Sequence, residues 1–304
     1  MKLAILSTTL AEEEFLPCMI LFRDKAGERG HDCRLVRHGE LGLALGGSLG
    51  EILWGPGAAG LLEADLVIPR LNQRCLSRCD FYVLDHLAHQ GVEFLNRIPA
   101  IEAARSKITT LQVLRLQGLP VPATALVRRR ENLATAVRIL GPGPYVVKPA
   151  MGSQGRDVVR VDSLAALEQV FDGRWAVNRH EILLVQEFLR SGDGPPADIR
   201  VLVLLGQVVG AMRREAPAGD FRSNFVLGAT VTPYPPDPAI EALALRAAAA
   251  LELDLAGVDL IFTPGGPRIL EVNANPGWEG ISVAMAAGGD DFYERMLDIL
   301  AQWN

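Results

Sequence analysis

The chain has 304 residues, 49% hydrophobic and 22% charged, with a formal charge of −6 and a mean hydropathy of +0.19. These values fit a globular enzyme with room for two or three compact units, and they exclude a disordered chain, a low-complexity block and a protein built to coat nucleic acid. No apolar run reaches membrane-spanning length, so the expected partners are small, with no nucleic acid and no membrane involved, and the expected location is the cytoplasm.

The first stretch, "MKLAILSTTLAEEE", passes from apolar residues straight into acids with no cleavage pattern, and so predicts a strand rather than a signal peptide. A helix through "MILFRDKAGERG", a strand "CRLV", a glycine-rich connection and "ADLVIPR" follow in βαβ rhythm. A small open parallel sheet is expected. Cys18, Cys33, Cys75 and Cys79 fit reduced thiols in a chain that needs no disulfide staples. Cys75 and Cys79 with His86 and His89 can be drawn as zinc ligands. Their spacing is unlike the common C-x-x-C sites, and a plain helix with buried thiols and a solvated histidine face is the preferred reading.

"FLNRIPAIEAARSKITTLQVLRLQGLPVP" is helical in period, stops at Gly118 and Pro120, and opens a second domain. "YVVKPAMGSQGRDVVRV" reads as two strands around a glycine-bearing loop, followed by a helix capped by Ser163 and a strand "EILLVQEFL". Past "SGDGPP", a hairpin turning near Gly206 covers "DIRVLVLLGQVVGAMRRE". An alanine-rich helix, a second hairpin in "LAGVDLIFTPGGPRILEVNANPG" and a last amphipathic helix "DFYERMLDILAQW" complete the chain.

That second hairpin carries chemistry. With its loop centred on Gly265, Asp259 falls opposite Glu271, and alternation puts Glu271, Asn273 and Asn275 on one face with Ile269 as the only apolar residue there. Like charges about 4 Å apart repel by roughly 4 kcal/mol at a protein surface, so the pair asks for a cation or a proton. Two carboxylates and an amide suit Mg²⁺ or Mn²⁺, ions that keep positions open for phosphate oxygens. The competing reading is a solvated hairpin with exposed acids.

Lys148 ends "YVVK" just before "GSQGRD", where Gly152 and Gly155 let backbone amides approach an anion and Ser153 and Gln154 add donors; Lys107 lies on the helix that opens the second domain. The lysine precedes the glycines, so this is a hairpin flap and not a Walker loop. In "VQEFL", residues Gln186 to Leu189, the backbone can bond a purine edge, Phe188 and Leu189 can wall the ring, and Glu187 can accept from ribose or amine. "DIR", "MRRE" and "DFRSN" supply Asp198, Arg200, Arg213, Arg214, Arg222, Ser223 and Asn224, guanidinium forks suited to carboxylate or phosphate. Asp198 and Arg213 fall nearly opposite about Gly206, so a simple cross-strand pair is the alternative.

In order and combination, these motifs with "GDFRSN", "AGVDL" and "EVNANPG" resemble the ATP-grasp superfamily, and within it the RimK-type amino-acid ligases, over nearly the whole chain. The resemblance implies an α/β protein with α+β lobes: a pre-ATP-grasp open parallel sheet domain at 1–97 and an ATP-grasp domain at 98–304. Its N-lobe, 98–189, would carry the glycine flap and its C-lobe, 190–304, the magnesium site. Lys107 and Lys148 would then meet the phosphates of ATP, Glu187 and Phe188 the adenosine, and Asp198 the ribose side. Arg222, Ser223 and Asn224 would line the phosphate and substrate end, Arg200 and Arg213 would join Arg222 as catalytic cations, and Asp259, Glu271 and Asn273 would hold Mg²⁺.

The implied reaction is an ADP-forming ligation through an acyl phosphate, adding glutamate or another amino acid to a peptide, a protein C-terminus or a small acceptor. A homo-oligomer, dimer or tetramer, is compatible with the family. A dipeptide or glutathione-synthetase-like ligase and a nucleotide-binding regulatory protein without turnover are the alternatives. Three departures stand out: "FVLGAT" where a basic residue and paired glycines are usual after "DFRSN", Asn275 where the turn usually has serine, and the charged Arg156 and Asp157 in the flap.

Overall fold

The computed structural model describes residues 1–10, 13–46, 51–71, 81–152, 155 and 157–303. The expected parallel sheet forms from β1 (Lys2–Ser7), β2 (Asp32–Arg37) and, later in the chain, β5 (Leu66–Arg70), in the order β2-β1-β5. Helix α1 (Pro17–Glu28) connects β1 to β2. β1 is central and buried on both faces: Leu3 and Ile5 pack with Phe22 of α1, and Ala4 and Leu6 pack with Val67 and Leu84. Between β2 and β5 lie a two-stranded hairpin, β3 (Gly42–Ala44) and β4 (Ile52–Trp54), and α2 (Ala58–Leu62); α3 (Tyr82–His89) follows β5.

The helical stretch expected next is broken in two, α4 (Ile98–Arg105) and α5 (Lys107–Leu116). Ser106 between them is extended, its Oγ accepts from Thr109 N at 3.3 Å, and it bridges to Met151. The break turns Lys107 toward the loop after the next sheet's β7, and Lys107 N donates to Ala150 O at 3.1 Å.

A second, antiparallel sheet contains β6 (Thr124–Val127), β7 (Tyr145–Pro149), β8 (Val159–Val161) and β9 (Leu183–Glu187), in the order β6-β9-β7-β8. Helices α6 (Leu133–Leu140) and α7 (Leu164–Val177) cover one face, where Tyr145, Val147, Leu183 and Val185 join Leu133 and Phe171 in a core. Period-two alternation therefore sends Lys148 and Gln186 to the opposite face. Ser163 caps α7 as expected, accepting from Ala166 N at 3.2 Å.

The third sheet has five antiparallel strands in the order β12-β11-β10-β13-β14: β10 (Ala197–Leu204), β11 (Gln207–Glu215), β12 (Thr230–Pro233), β13 (Leu255–Thr263) and β14 (Gly266–Asn273). Helix α8 (Pro238–Ala250), capped by Asp237, packs on Ile199, Val201, Ala211, Val258 and Leu260. The other face, with Leu202, Leu204 and Met212, meets α1, α9 (Glu279–Ala287) and α10 (Phe292–Leu300) around Trp278 and Met296.

Both long hairpins of this sheet carry a β-bulge. Leu204 pairs with Gln207 and Val203 with Val208, but Leu202 pairs with Gly210, so Val209 is the extra residue. In the second hairpin Leu260 pairs with Ile269 while Asp259 pairs with Glu271, leaving Leu270 as the extra residue. Asp259 and Glu271 therefore do oppose each other, through a turn at Pro264-Gly265 plus a bulge rather than a regular ladder about Gly265. Ile269 does not share their face: it is fully buried in the core under α8.

Candidate nucleotide and metal site

One cleft opens between the second and third sheets, lined by Lys107, Lys148, Gly155, residues 186 to 189, Asp198, residues 222 to 224, Asp259 and Glu271. Thirteen positions scattered over the sequence thus meet in one place. Ser153 and Gln154 lie outside the described residues. Asn273 stands behind the rim, its Nδ2 3.5 Å from Asp259 Oδ2.

Lys148 is nearly buried and donates to Gln186 Oε1 at 3.0 Å; Gln186 in turn donates to Thr124 Oγ1 at 2.7 Å. Burial pulls its pKa down to about 8, with Glu271 opposing and Lys107 adding to the fall. Lys107 reaches across the flap and donates to the Gly152 carbonyl. Gly155 has φ +69°, and a Cβ there would lie 2.6 Å from Asn224 Oδ1, so only glycine fits. Arg222 Nη1 donates to the Gly155 carbonyl at 3.1 Å, docking the flap on the "DFRSN" loop. The Arg222 guanidinium beside Asp220 holds that carboxyl down at about 2.

At the other end, Phe188 meets Phe221 edge-on at 5.8 Å, and the Arg160 guanidinium lies 4.7 Å from the Phe188 ring. Glu187 corrects an expectation: its Oε1 accepts from Ala123 N at 2.7 Å, so one carboxylate oxygen is committed to the backbone.

Arg213 is not in the cleft. Because of the bulge at Val209, Arg213 opposes Ile199 on the α8 face and pairs with Glu215 at 2.6 Å, while Arg214 opposes Asp198. A regular ladder run back from the Leu204–Gln207 pair would set Arg213 opposite Asp198, one residue short of Arg214. Arg214 grips Asp198 with Nε on Oδ1 at 2.6 Å and Nη2 on Oδ2 at 2.7 Å, and Ser223 Oγ adds a bond at 2.6 Å. Both Asp198 oxygens are thus engaged, which removes the expected free acceptor for ribose; burial raises its pKa against the pull of Arg214.

Arg200 holds Asp259 in the same forked way, at 2.6 and 2.7 Å, and Arg214 Nη2 reaches Asp259 Oδ2 at 3.0 Å. Burial pushes the Asp259 pKa up, but the two guanidiniums outweigh it and the net shift is downward. A carboxylate charged at neutral pH therefore faces Glu271 across the strands. The donor set of Asp259, Glu271 and the Asn273 amide oxygen is all hard oxygen and fits a divalent cation such as Mg²⁺. No group of three or more His, Cys, Asp or Glu side chains is arranged for a metal among the described residues, so nucleotide oxygens would have to complete the shell.

The zinc alternative loses support where it can be seen. His86 is buried beside Glu51, 3.6 Å away, and His89 Nδ1 is 2.6 Å from the Asp85 carbonyl, while Cys75 and Cys79 lie outside the described residues. The histidine face expected to be solvated is therefore half buried.

Replacing Lys148 by Met is expected to weaken ATP binding by about 10- to 100-fold in calorimetry. In the parent protein affinity should fall as pH rises through about 8 and the ammonium is lost, a dependence the variant should lack. A flat profile in the parent would remove Lys148 from the phosphate site.

Two antiparallel sheets closing on a cleft with lysines on one side and paired carboxylates on the other define the ATP-grasp fold. Solved structures share it across the chain: an ATP-grasp ligase, PsnB, complexed with minimal precursor (TM-score 0.69, 20% identity, 99% of each chain) and D-alanine–D-alanine ligase from Bacillus anthracis complexed with ATP (TM-score 0.66, 17% identity, 99% and 96% covered). The RimK-like ATP-grasp domain model matches residues 104–298, and the chain belongs to that family of ligases. A "probable alpha-L-glutamate ligase" of Serratia proteamaculans is 37% identical over 241 residues, covering 78% of this chain and 77% of the relative. A "ribosomal protein bS6–L-glutamate ligase" of Salmonella newport is 38% identical over 247 residues, covering 79% and 76%. Among the described residues no helix is long and apolar enough to cross a membrane.

Proposed function

We propose that the protein catalyses Mg²⁺-dependent, ADP-forming addition of glutamate to a carboxylate carried by a peptide or protein, in the cytoplasm. The substrate carboxylate attacks the γ-phosphorus of ATP, ADP leaves, and the amine of the amino acid displaces phosphate from the acyl phosphate to form an amide. No side-chain nucleophile is needed, so catalysis rests on positioning and charge neutralisation. The observation that carries this is the Asp259–Glu271 pair at the mouth of a cleft whose opposite wall presents Lys148.

In this reading 1–97 is a separate leading domain, and nucleotide sits between a lobe at 98–189 and one at 190–304. The strand end at 186–189 takes the adenine, and Lys107, Lys148, Arg222 and the flap residues 153–155 meet the phosphates. Asp259, Glu271 and Asn273 hold the cation, which supplies charge neutralisation of the γ-phosphoryl oxygens. Arg200, anchored by Asp259, and Arg214, anchored by Asp198, place two cations at the reacting end. The names of the glutamate ligase relatives support glutamate, and the neighbour bound to a precursor supports a peptide acceptor.

Mass spectrometry after incubation with ATP, Mg²⁺, glutamate and peptides with free C-termini is expected to show one glutamate added per ADP released. Dipeptides alone would favour a small-molecule ligase. ADP release without an amide would overturn the assignment.

A further inference from the structure

On the cleft face of the third sheet, charged side chains meet from strand to strand. Arg214 of β11 lies opposite Asp198 of β10, Arg200 of β10 opposite Asp259 of β13, and Asp259 opposite Glu271 of β14. The two arginines and two aspartates are largely buried, their side chains 3 to 13% exposed. Such a cluster is costly to desolvate, and apolar side chains of similar volume often give equal or greater stability. Stability alone does not account for it.

Arg214 joins the two halves of the cluster. Its Nε and Nη2 form a fork on Asp198, and the same Nη2 reaches past β10 to Asp259 Oδ2 at 3.0 Å. One guanidinium nitrogen is thus shared between two carboxylates. Ser223 Oγ donates at 2.6 Å to Asp198 Oδ2, the oxygen that also takes Arg214 Nη2, and so keeps that carboxylate turned toward Arg214. Ser223 is itself held in place: its neighbour Arg222 bonds the Gly155 carbonyl, and Asn224 packs against Gly155 from the other side of the serine.

The state of Asp259 depends on this chain in two ways. Asp198 occupies the Arg214 fork, so Arg214 gives Asp259 a single contact; without Asp198 the fork is free to close on Asp259 and to compete with a cation for it. Asp198 also balances charge. The two arginines and two aspartates cancel, and Glu271 leaves the cluster one net negative charge; with Asp198 neutral, that net attraction for a cation is gone. On the nucleotide and metal reading above, we propose that Asp198 and Ser223 are positioning residues for the cation: they hold Arg214 back from Asp259 and leave that carboxylate able to take the metal that accompanies ATP. Asp198 then acts through Arg214 and makes no contact with nucleotide.

The test is a titration of Mn²⁺ into the full-length protein saturated with AMPPNP, with the bound ion counted by electron paramagnetic resonance, beside calorimetric titration of ADP without metal. Asp198→Asn and Ser223→Ala should each weaken Mn²⁺ binding, within a range of about 2- to 30-fold and more strongly for Asp198→Asn, which also loses the charge. Metal-free ADP affinity should stay within about twofold. Ser223→Thr, which keeps the hydroxyl, should restore the parent's Mn²⁺ affinity. Adding Arg214→Met to Asp198→Asn removes the competing fork and should recover part of the loss. Where Asp198→Asn unfolds too readily to titrate, the two Ser223 variants decide the matter. Mn²⁺ affinity unmoved in the variants while the parent binds the ion would overturn the relay and leave the ligase reading intact. Loss of metal-free ADP binding in Asp198→Asn would also overturn it, by marking Asp198 as a direct ribose partner. A parent protein that binds no Mn²⁺ beside the nucleotide would overturn the relay together with the metal reading beneath it.

Discussion

Glu271→Gln is expected to lower amide formation by about two to three orders of magnitude or more, with the fold retained. Gln keeps the size and one acceptor but loses the charge that, with Asp259, attracts a cation to the cleft. The side chain is partly buried and lines the cleft rather than the core, so little packing is lost. The same charge holds up the Lys148 pKa, so its removal should shift the loss of ATP affinity to lower pH. Product mass spectrometry and Mn²⁺ titration in the presence of ATP read the two effects. Near-normal turnover would exclude Glu271 from the cation site.

Asp259→Asn should act on both stability and activity. Arg200 and Arg214 share this carboxylate, and its side chain is 6% exposed, so the substitution leaves two guanidiniums short of a counter-charge. Breaking a buried pair by removing one partner costs about 3–5 kcal/mol, and because Asp198 still holds Arg214 the lower end is expected. Denaturant unfolding measures it. Adding Arg200→Met should recover part of the loss, since the stranded charge is then gone. The depressed Asp259 pKa fixes the sign of the pH effect: its contribution is full above the ordinary carboxylate range and is lost as pH falls through the folded-state value. An unfolding midpoint equal to the parent's would show that the ion pairs carry no stability.

How far such residues can be read from sequence depends on whether spacing is local and regular. Lys148 and Gln186 are legible because β7 and β9 alternate without interruption. The Asp259–Glu271 pairing is also legible, although the count about Gly265 succeeds only because the Leu270 bulge makes up for a tighter turn. In the first hairpin a regular ladder run back from the Leu204–Gln207 pair selects Arg213 as the partner of Asp198 instead of Arg214, because nothing in "GQVVGAMRRE" marks Val209 as the residue that steps out of the ladder. The break at Ser106 is hidden inside one unbroken helical period. Arg70 and Pro276 are farther still from sequence reasoning: these residues, 206 positions apart in the chain, are joined by an Arg70 Nη1 to Pro276 carbonyl hydrogen bond only after the parallel sheet and the C-terminal helices have packed together.

The bulge at Leu270 has a consequence for what an edge strand can offer. A regular strand shows a cleft only every other side chain, so an apolar neighbour of Glu271 would turn into the core as Ile269 does. With one residue inserted, Leu270 and Glu271 both face the cleft. Grease and charge then stand shoulder to shoulder, and a flat ring and its ionic tail can be met by consecutive positions of a single strand.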